Sequence, residues 1–193
     1  MSTEAPSPLH GLSIAEKISR LTAFIADDLD ARAATGMHAT GACYLLIARS
    51  AESPVAQALR AHADRMSSMG IRVRTIFSEI DQTNGAHLAA PFALPSECRI
   101  ARDSRLLAAH EQLVLTPTRT WLGDCMRREP GKRDAFERYA NDCAQTGAHA
   151  TRSFESLWRI TTPLVAMPSI ATLTQMSNIA TAAEKISDDL HRQ

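Results

Sequence analysis

The chain has few aromatic residues and no excess of charge of either sign. Of its 193 residues, 5% are aromatic, and lysine plus arginine equal aspartate plus glutamate at 21 each. A surface that stacks bases or binds polyanions in general is therefore not indicated. We expect nucleic acid to be bound only with the help of a partner.

Long apolar runs are also missing. No segment approaches the roughly 20 apolar residues that a membrane-spanning helix needs. The first residues, Met1–Pro8, lack a basic segment followed by an apolar one. We therefore expect neither a membrane span nor a secretion signal, which makes the cytoplasm the expected location.

The sequence shows no recognisable metal or cofactor motif. Its four cysteines, at positions 43, 98, 125 and 143, form no C-x-x-C pair, and in a reducing compartment they are expected to be small buried apolar residues. Histidines and carboxylates show no metal-ligand spacing, and neither a phosphate loop, a dinucleotide glycine fingerprint nor a G-x-S-x-G elbow occurs. We expect no metal and no cofactor.

What is present in the first half is a helix–strand–helix–strand pattern. Ser13 and Glu16 fit a capping box at the start of an amphipathic helix over residues 12–36. An apolar strand over 42–48, a helix of about 16 residues that begins near Ser53, and an alternating strand over 71–77 follow. This order predicts a right-handed crossover that makes the two strands parallel.

Two groups of polar side chains in this half have both a structural and a functional interpretation. Asp27, Asp28 and Asp30 fall on or near the outer side of the first helix, where a solvated face is favoured over a paired acid site. His62 lies on the apolar stripe of the second helix and is favoured as a packed histidine over a ligand.

The second half adds a hairpin and further helices. After a predicted loop over 81–95 and a short strand over 98–101, a hairpin over 111–122 turns at Thr116 and Pro117. A seven-residue apolar repeat then predicts the longest helix, from Phe136 to Leu157. Gly147 within it would admit a close neighbour, either the sheet or another subunit. A weaker helical pattern covers 169–190.

These elements predict an α/β fold with a mixed central β-sheet flanked by helices. The expected organisation is a flexible tail at 1–11, an N-terminal helix at 12–36, an α/β domain at 37–165 and a C-terminal helical extension at 166–193. Because Pro168 separates the extension, it is expected to dock either on this chain or on a neighbouring copy.

The hairpin and the elements around it resemble the phospholipase D superfamily. The similar segments are Tyr44–Ile47, Ala63–Met66, Gly70–Arg74, His110–Gln112, Gly123–Met126 and Phe154–Trp158. The first three resemble the strand, the helix and the G-V-x-V-R strand that open the family's domain. The others resemble its H-x-K strand, its G-S-x-N turn and its F-x-x-L-W end. The resemblance covers residues 40–165 and implies a phospholipase D-like fold.

The resemblance makes His110 the nucleophile of any activity, since the family's histidine attacks phosphorus while a lysine and an asparagine hold phosphate oxygens. Gln112 replaces the lysine and Pro117 the aspartate. Asp124 and Met126 stand at the serine and asparagine positions. Losing one fixed donor commonly costs about 10²–10³ in rate, so a working phosphodiesterase of the usual kind is not expected.

Arg127 and Arg128 follow the turn and have two interpretations. Their guanidinium groups would supply the missing positive charge, or they belong to a solvated run of mixed charge, which is the favoured interpretation. If the hairpin binds a ligand, Gln112, Asp124, Arg127 and Arg128 are the residues expected to line its site beside His110.

Three hypotheses follow from the resemblance. Members with one motif per chain pair their histidines across a homodimer, so a dimer with both copies of His110 near its axis is implied. The first hypothesis is a catalytically degenerate, dimeric binding or regulatory protein whose partner is another protein or a small phosphorylated ligand. The alternative is a diverged phosphodiesterase or phosphoryl-transfer enzyme that uses His110 as nucleophile. The third is the sensor module of a transcription regulator.

Overall fold

The computed structural model describes residues 13–35, 41–78, 96–101, 109–126 and 136–163. The predicted tail at 1–11, the loop at 81–95 and the extension at 166–193 lie outside these ranges. Within the ranges, no helix is long and apolar enough to cross a bilayer. In chain order the elements are α1 (Ile14–Ala34), β1 (Cys43–Ala48), α2 (Pro54–Arg60), α3 (Ala63–Ser68), β2 (Arg72–Phe77), β3 (Ser96–Ile100), β4 (His110–Val114), β5 (Thr120–Cys125), β6 (Arg138–Ala140), α4 (Ala144–Ile160) and β7 (Thr162–Pro163).

The strands form one mixed sheet in the order β6-β5-β4-β1-β2-β3-β7. β1, β2 and β3 run parallel to one another, whereas β4, β5, β6 and β7 pair antiparallel with their neighbours. The predicted α/β fold with a mixed central sheet flanked by helices is confirmed. The predicted parallel crossover from β1 to β2 and the predicted hairpin, which is β4 and β5, are confirmed as well.

One face of the sheet is covered by α1, α2 and α3. The predicted capping box begins α1, since the Ser13 hydroxyl accepts the Glu16 amide and the Glu16 carboxylate accepts the Ser13 amide. Behind this cap, α1 buries Leu21, Ile25 and Leu29 completely. Each such side chain contributes about 1.5–3 kcal/mol when it leaves water, which holds α1 on the sheet. The sheet residues of this core include Tyr44, Leu46, Val73, Leu113 and Trp121.

α4 covers the opposite face. Its buried residues Ala150, Phe154 and Trp158 pack on a second core that includes Leu45, Ile47, Ile76 and Val114. At Gly147 the helix meets the β4–β5 turn, and a Cβ placed there would lie 1.9 Å from the Pro117 carbonyl oxygen. The predicted close approach at Gly147 is confirmed, and the neighbour is this chain's own hairpin.

The single helix predicted after Ser53 is two short helices. α2 ends at Arg60, beyond which the His62 amide donates to the Leu59 carbonyl oxygen three residues back. The imidazole Nε2 of His62 lies 3.0 Å from the Thr22 carbonyl oxygen on α1, and since a carbonyl only accepts, Nε2–H donates. The prediction that His62 is a packed histidine is confirmed.

The helix predicted from Phe136 onward is wrong over its first turns. Arg138–Ala140 form β6, which pairs with β5 through Trp121 and Tyr139, and α4 begins only at Ala144. The local spacing fits a helix, but the backbone hydrogen bonds of β6 go to a strand that lies outside that stretch of sequence. Pairing with the sheet therefore outweighs the local pattern.

The prediction that Asp28 lies on a solvated face of α1 is wrong. Its carboxylate is 4% exposed and accepts hydrogen bonds from the Tyr44 hydroxyl and from Arg32 Nε, both at 2.7 Å. Burial and the Asp28 carboxylate raise the pKa of Tyr44 far above its ordinary value. Arg32 also donates to a carbonyl oxygen of the β4–β5 turn at 3.0 Å, so the network joins α1 to β1 and to the hairpin.

All four cysteines lie in the described residues, form no disulfide and are only partly buried, so the predicted burial of these residues is only partial. Burial raises the pKa of Cys43. Cys143 is the N-cap of α4, where hydrogen bonds with Thr146 lower the pKa of its thiol. The pKa values of the Cys43 and Cys143 thiols are therefore shifted in opposite directions.

Candidate functional site

His110 opens β4 at the edge of the sheet where the parallel strands end. β1 and β2 end at Ala48 and Phe77, which are neighbours in the ladder. β4 runs antiparallel to β1 through the pair Ile47 and Gln112, so His110 stands beside the carboxyl end of β1. In α/β sheets, ligands bind outside the carboxyl ends of the strands. His110 thus lies at the edge where a site is expected.

The His110 ring is exposed, yet it is held in one orientation. Its Nδ1 lies 2.9 Å from the Gly123 carbonyl oxygen on β5. Because a carbonyl oxygen only accepts, Nδ1 carries a proton, and in the neutral imidazole Nε2 then holds the lone pair. The β4–β5 register shifts between His110 and Gln112, and such a bulge re-aims a side chain. The tautomer suits a nucleophile or a hydrogen-bond acceptor at Nε2.

Gly123 holds His110 from a position that admits no side chain. A Cβ built on Gly123 would lie 2.4 Å from Cη2 of Trp121, whose ring is completely buried. The Lys17 ammonium stands 5.3 Å from the centroid of this ring, so Trp121 is packed from the α1 side too. The buried tryptophan therefore shapes the strand segment whose carbonyl orients His110.

Phe136 is an exposed neighbour of His110. The two rings meet edge to face with their centroids 6.3 Å apart, and Phe136 is 42% exposed. Its amide donates to Asp124 Oδ1 at 3.2 Å, which ties the segment before β6 to the end of β5. The surface beside His110 is therefore partly aromatic. This exposed aromatic surface was not predicted, because the helical spacing placed Phe136 on the buried side of a helix.

Gln112 turns away from the exposed edge. It is 3% exposed, and its Nε2 donates to the Ala150 carbonyl oxygen on α4 at 2.8 Å. One of the two N–H donors of this neutral amide is therefore already used by the backbone of a packed helix. In this structure Gln112 fastens α4 to the sheet.

Asp124 and Met126 are also turned inward. They are 1% and 3% exposed, and Met126 belongs to the apolar core under α4. An ionised carboxylate accepts hydrogen bonds without donating any, and a thioether is only a weak acceptor. Phe136 links Asp124 to His110, since its amide bonds the carboxylate and its ring contacts the imidazole. Neither Asp124 nor Met126 brings a hydrogen-bond donor for phosphate.

A buried ion pair next to His110 was not predicted. Arg49 follows β1 and is 5% exposed, and Glu111 is completely buried. Arg49 Nη1 lies 3.1 Å from Glu111 Oε2, the Arg49 amide donates to Oε1 at 3.2 Å, and Nη2 donates to the Cys125 carbonyl oxygen at 3.1 Å. The pair joins the ends of β1, β4 and β5. Its sequence signal is a glutamate at the second position of a strand that leads into apolar Leu113 and Val114, because a buried glutamate needs a partner.

Arg127 and Arg128 lie outside the described residues, so their part in a binding site stays a prediction. In the part of the chain that the structure describes, no three His, Cys, Asp or Glu side chains are grouped to hold a metal ion. The groups described around His110 are a phenyl ring, a buried carboxylate and a buried ion pair.

Fold and site together define an α/β domain with an exposed histidine at the carboxyl edge of a mixed sheet. No protein-family model and no curated protein matches the chain. Among solved structures it is similar to one titled NucT from Helicobacter pylori, with 11% sequence identity and a TM-score of 0.44, over 75% of this chain and 93% of that one. So distant a likeness assigns no activity, and the function proposed below rests on the chain's own residues.

Proposed function

We propose that this protein is a phospholipase D-like domain that has lost catalysis and acts as a cytoplasmic, dimeric binding or regulatory protein. The order of its elements, with a parallel crossover followed by a hairpin headed by His110, supports the phospholipase D-like fold. The observation that carries the loss of catalysis is the bond from Gln112 Nε2 to the Ala150 carbonyl oxygen. Where that superfamily holds phosphate with a lysine, this chain has a neutral amide that fastens a helix.

The side chains at the serine and asparagine positions support the same conclusion. Asp124 stands at the serine position as a buried carboxylate, and Met126 stands at the asparagine position as a buried thioether. A carboxylate repels a phosphate, and a thioether donates no hydrogen bond. Since each fixed donor is commonly worth about 10²–10³ in rate, replacement of all three leaves His110 without electrostatic support from these positions.

The proposal is tested by assaying phosphodiester hydrolysis with bis(p-nitrophenyl) phosphate and with single- and double-stranded DNA. The wild type is compared with His110→Ala and with His149→Ala, which removes an exposed histidine of α4. We expect the same background rate in all three proteins. Hydrolysis that is lost in His110→Ala and kept in His149→Ala would contradict the loss of catalysis.

The surface of His110 and Phe136 is proposed as the contact surface for a second copy or for a small ligand. A phenyl ring that is 42% exposed beside an imidazole supports this, because aromatic side chains supply much of the binding energy at interfaces. In sedimentation velocity we expect a dimer that Phe136→Glu weakens and that Ile160→Glu, a change at another exposed apolar residue, leaves intact. A monomer at every concentration would refute the dimer.

One observation favours the alternative of a diverged phosphodiesterase. His110 is exposed, and its Nδ1 is held by Gly123, which leaves the lone pair on Nε2 for attack on phosphorus. This alternative needs Arg127 or Arg128 to replace the lysine. A phosphohistidine trapped at His110 after mixing with substrate would support it. Failure to trap one, with His110 still reactive toward diethyl pyrocarbonate, would exclude it.

A further inference from the structure

The cross-strand neighbour of His110 is Cys125. The two residues are Cα partners in the β4–β5 ladder. The Met126 amide donates to the Ala109 carbonyl oxygen at 2.9 Å, so this ladder bond lies beside the pair and does not join its members. In a non-hydrogen-bonded pair of this kind the Cα atoms are about 4.5 Å apart, and both side chains lie on one face of the sheet. An imidazole and a thiol are therefore neighbours at this end of the hairpin.

The hydrogen bond of His110 suits a metal ligand. A histidine that binds a metal through one ring nitrogen nearly always donates its other N–H to a carboxylate, a backbone carbonyl or water, which fixes the tautomer and the ring orientation. His110 has this arrangement, because its Nδ1 donates to the Gly123 carbonyl oxygen at 2.9 Å. In the neutral ring Nε2 then holds the lone pair that a metal ion needs. The protein therefore orients this nitrogen before any ligand binds.

An imidazole nitrogen and a thiolate sulfur together favour zinc among the common divalent ions. The Cys125 side chain is only partly buried, and the exposed Phe136 ring, 6.3 Å from the His110 ring between centroids, supplies an apolar wall that limits access of water. Within the described residues of one chain, no third His, Cys, Asp or Glu completes a metal-binding group. Zinc prefers four ligands in a tetrahedron, so one chain supplies half of a site.

A second copy supplies the other half. In a two-fold dimer the same surface of both copies meets at the axis, so an ion on that axis receives the same ligands from each copy. We propose that two copies of this protein share one Zn²⁺, bound by His110 Nε2 and Cys125 Sγ of each. The inference rests on the dimer proposed above, whose contact surface includes His110. Each thiol releases its proton to solvent as the ion binds, and the two thiolates balance the charge of the ion. Zinc then strengthens the dimer by mass action.

Cobalt(II) tests the site, because it replaces zinc and its spectrum reports the ligands. Reduced protein that has been treated with a chelator is titrated with Co²⁺ in the absence of oxygen. We expect the visible bands of tetrahedral cobalt together with a near-ultraviolet thiolate-to-cobalt band. Both should saturate at one ion per two chains and disappear when Zn²⁺ is added. Saturation at one ion per chain, or a spectrum without the thiolate band, would overturn the shared site.

Variants assign the ligands. His110→Ala and Cys125→Ser should each weaken cobalt binding by at least about tenfold, because even changes outside the ligand shell commonly cost about 10–100-fold. The matched controls are His149→Ala, at an exposed histidine of α4, and Cys143→Ser, where serine is itself a good N-cap. Both controls should keep the wild-type spectrum, and circular dichroism confirms that each variant is folded. Wild-type binding in Cys125→Ser would overturn the inference.

A further measurement needs no variant. Wild-type protein is treated with iodoacetamide with and without Zn²⁺, and the modified cysteines are identified by mass spectrometry. Zinc should protect Cys125 and leave the labelling of Cys143 unchanged. Equal labelling of Cys125 in both samples would contradict the proposed ligand.

Sedimentation velocity separates failure of the zinc site from failure of the dimer. Zn²⁺ should strengthen the dimer of the wild type but not that of Cys125→Ser. A dimer in chelator that binds no cobalt would overturn the zinc site and leave the proposed dimer standing. A monomer both in chelator and in Zn²⁺ would overturn the dimer and, with it, the shared ion.

Discussion

The imidazole Nδ1 of His110 donates to the carbonyl oxygen of Gly123 across 2.9 Å, and this bond joins the head of β4 to the end of β5. The bond sets the tautomer of the one predicted nucleophile. It also depends on packing beneath it, because Gly123 passes close to the buried ring of Trp121. The orientation of the exposed His110 imidazole therefore depends on packing in the buried core.

Gly123→Ala should disturb both the core and the histidine. The new Cβ would lie 2.4 Å from Trp121 Cη2, and overpacking of this kind commonly costs about 1–3 kcal/mol. Urea denaturation should show this loss, and nitrogen NMR of the imidazole should show that the Nδ1–H form of His110 no longer dominates. Ala148→Ser, at an exposed position of α4, is the control. An unshifted His110 spectrum would contradict the coupling.

Gly147→Leu should destabilise the protein because α4 can no longer approach the hairpin turn. Even the first carbon of the side chain would lie 1.9 Å from the Pro117 carbonyl oxygen, so we expect a loss of at least about 1–3 kcal/mol. For a chain of this size each kcal/mol lowers Tm by about 2–4 °C. Ala148→Leu, at the next and exposed position, is the matched control. Equal melting temperatures for both variants would refute the close contact.

Glu111→Gln should strongly destabilise the protein. The carboxylate is completely buried and paired with Arg49, and removing one partner of a buried pair costs about 3–5 kcal/mol because the other charge is left uncompensated. The loss is measured by chemical denaturation. We expect the double variant Arg49→Met with Glu111→Leu to be more stable than Arg49→Met alone or Glu111→Leu alone. Additive losses would show that the two side chains do not act as a pair.

Tyr44 should make the stability depend on alkaline pH. Burial and the bond to Asp28 raise its folded pKa above the ordinary value of 10.0. Its contribution is therefore fully present below that value and is lost as pH rises toward the folded pKa. Urea midpoints measured from about pH 9 to about pH 11 should fall for the wild type and fall less for Tyr44→Phe. Part of the fall in stability should remain in Tyr44→Phe, because burial and Glu137 also raise the pKa of Tyr139. Tyr139→Phe should remove that part. Parallel curves for wild type and Tyr44→Phe would contradict the prediction.

Much of the fold could be predicted because its signals are local. The capping box of Ser13 and Glu16 begins α1, and the apolar run over 42–48 is β1. A strand, helices and a second strand in this order leave few arrangements other than a parallel crossover. The break at His62 and the strand β6 were missed, because both depend on elements far away in sequence, α1 in one case and β5 in the other.

The site was predicted only in part, for a related reason. His110 could be placed at the head of a strand from its neighbours in sequence. Whether Gln112 and Met126 face a ligand or the core depends on the bulge in β4 and on where α4 docks. The burial of Asp28 and Glu111 likewise depends on Tyr44 and Arg49, which stand on another strand or just beyond it.

The sequence by itself determined the α/β class, the mixed sheet and the position of His110, because period, caps and order of elements are written over neighbouring residues. Only the tertiary structure decided that the polar residues around His110 are bound to the protein's own backbone and to buried partners. Polar burial depends on which distant group supplies the matching donor or acceptor, and no local pattern records that partner.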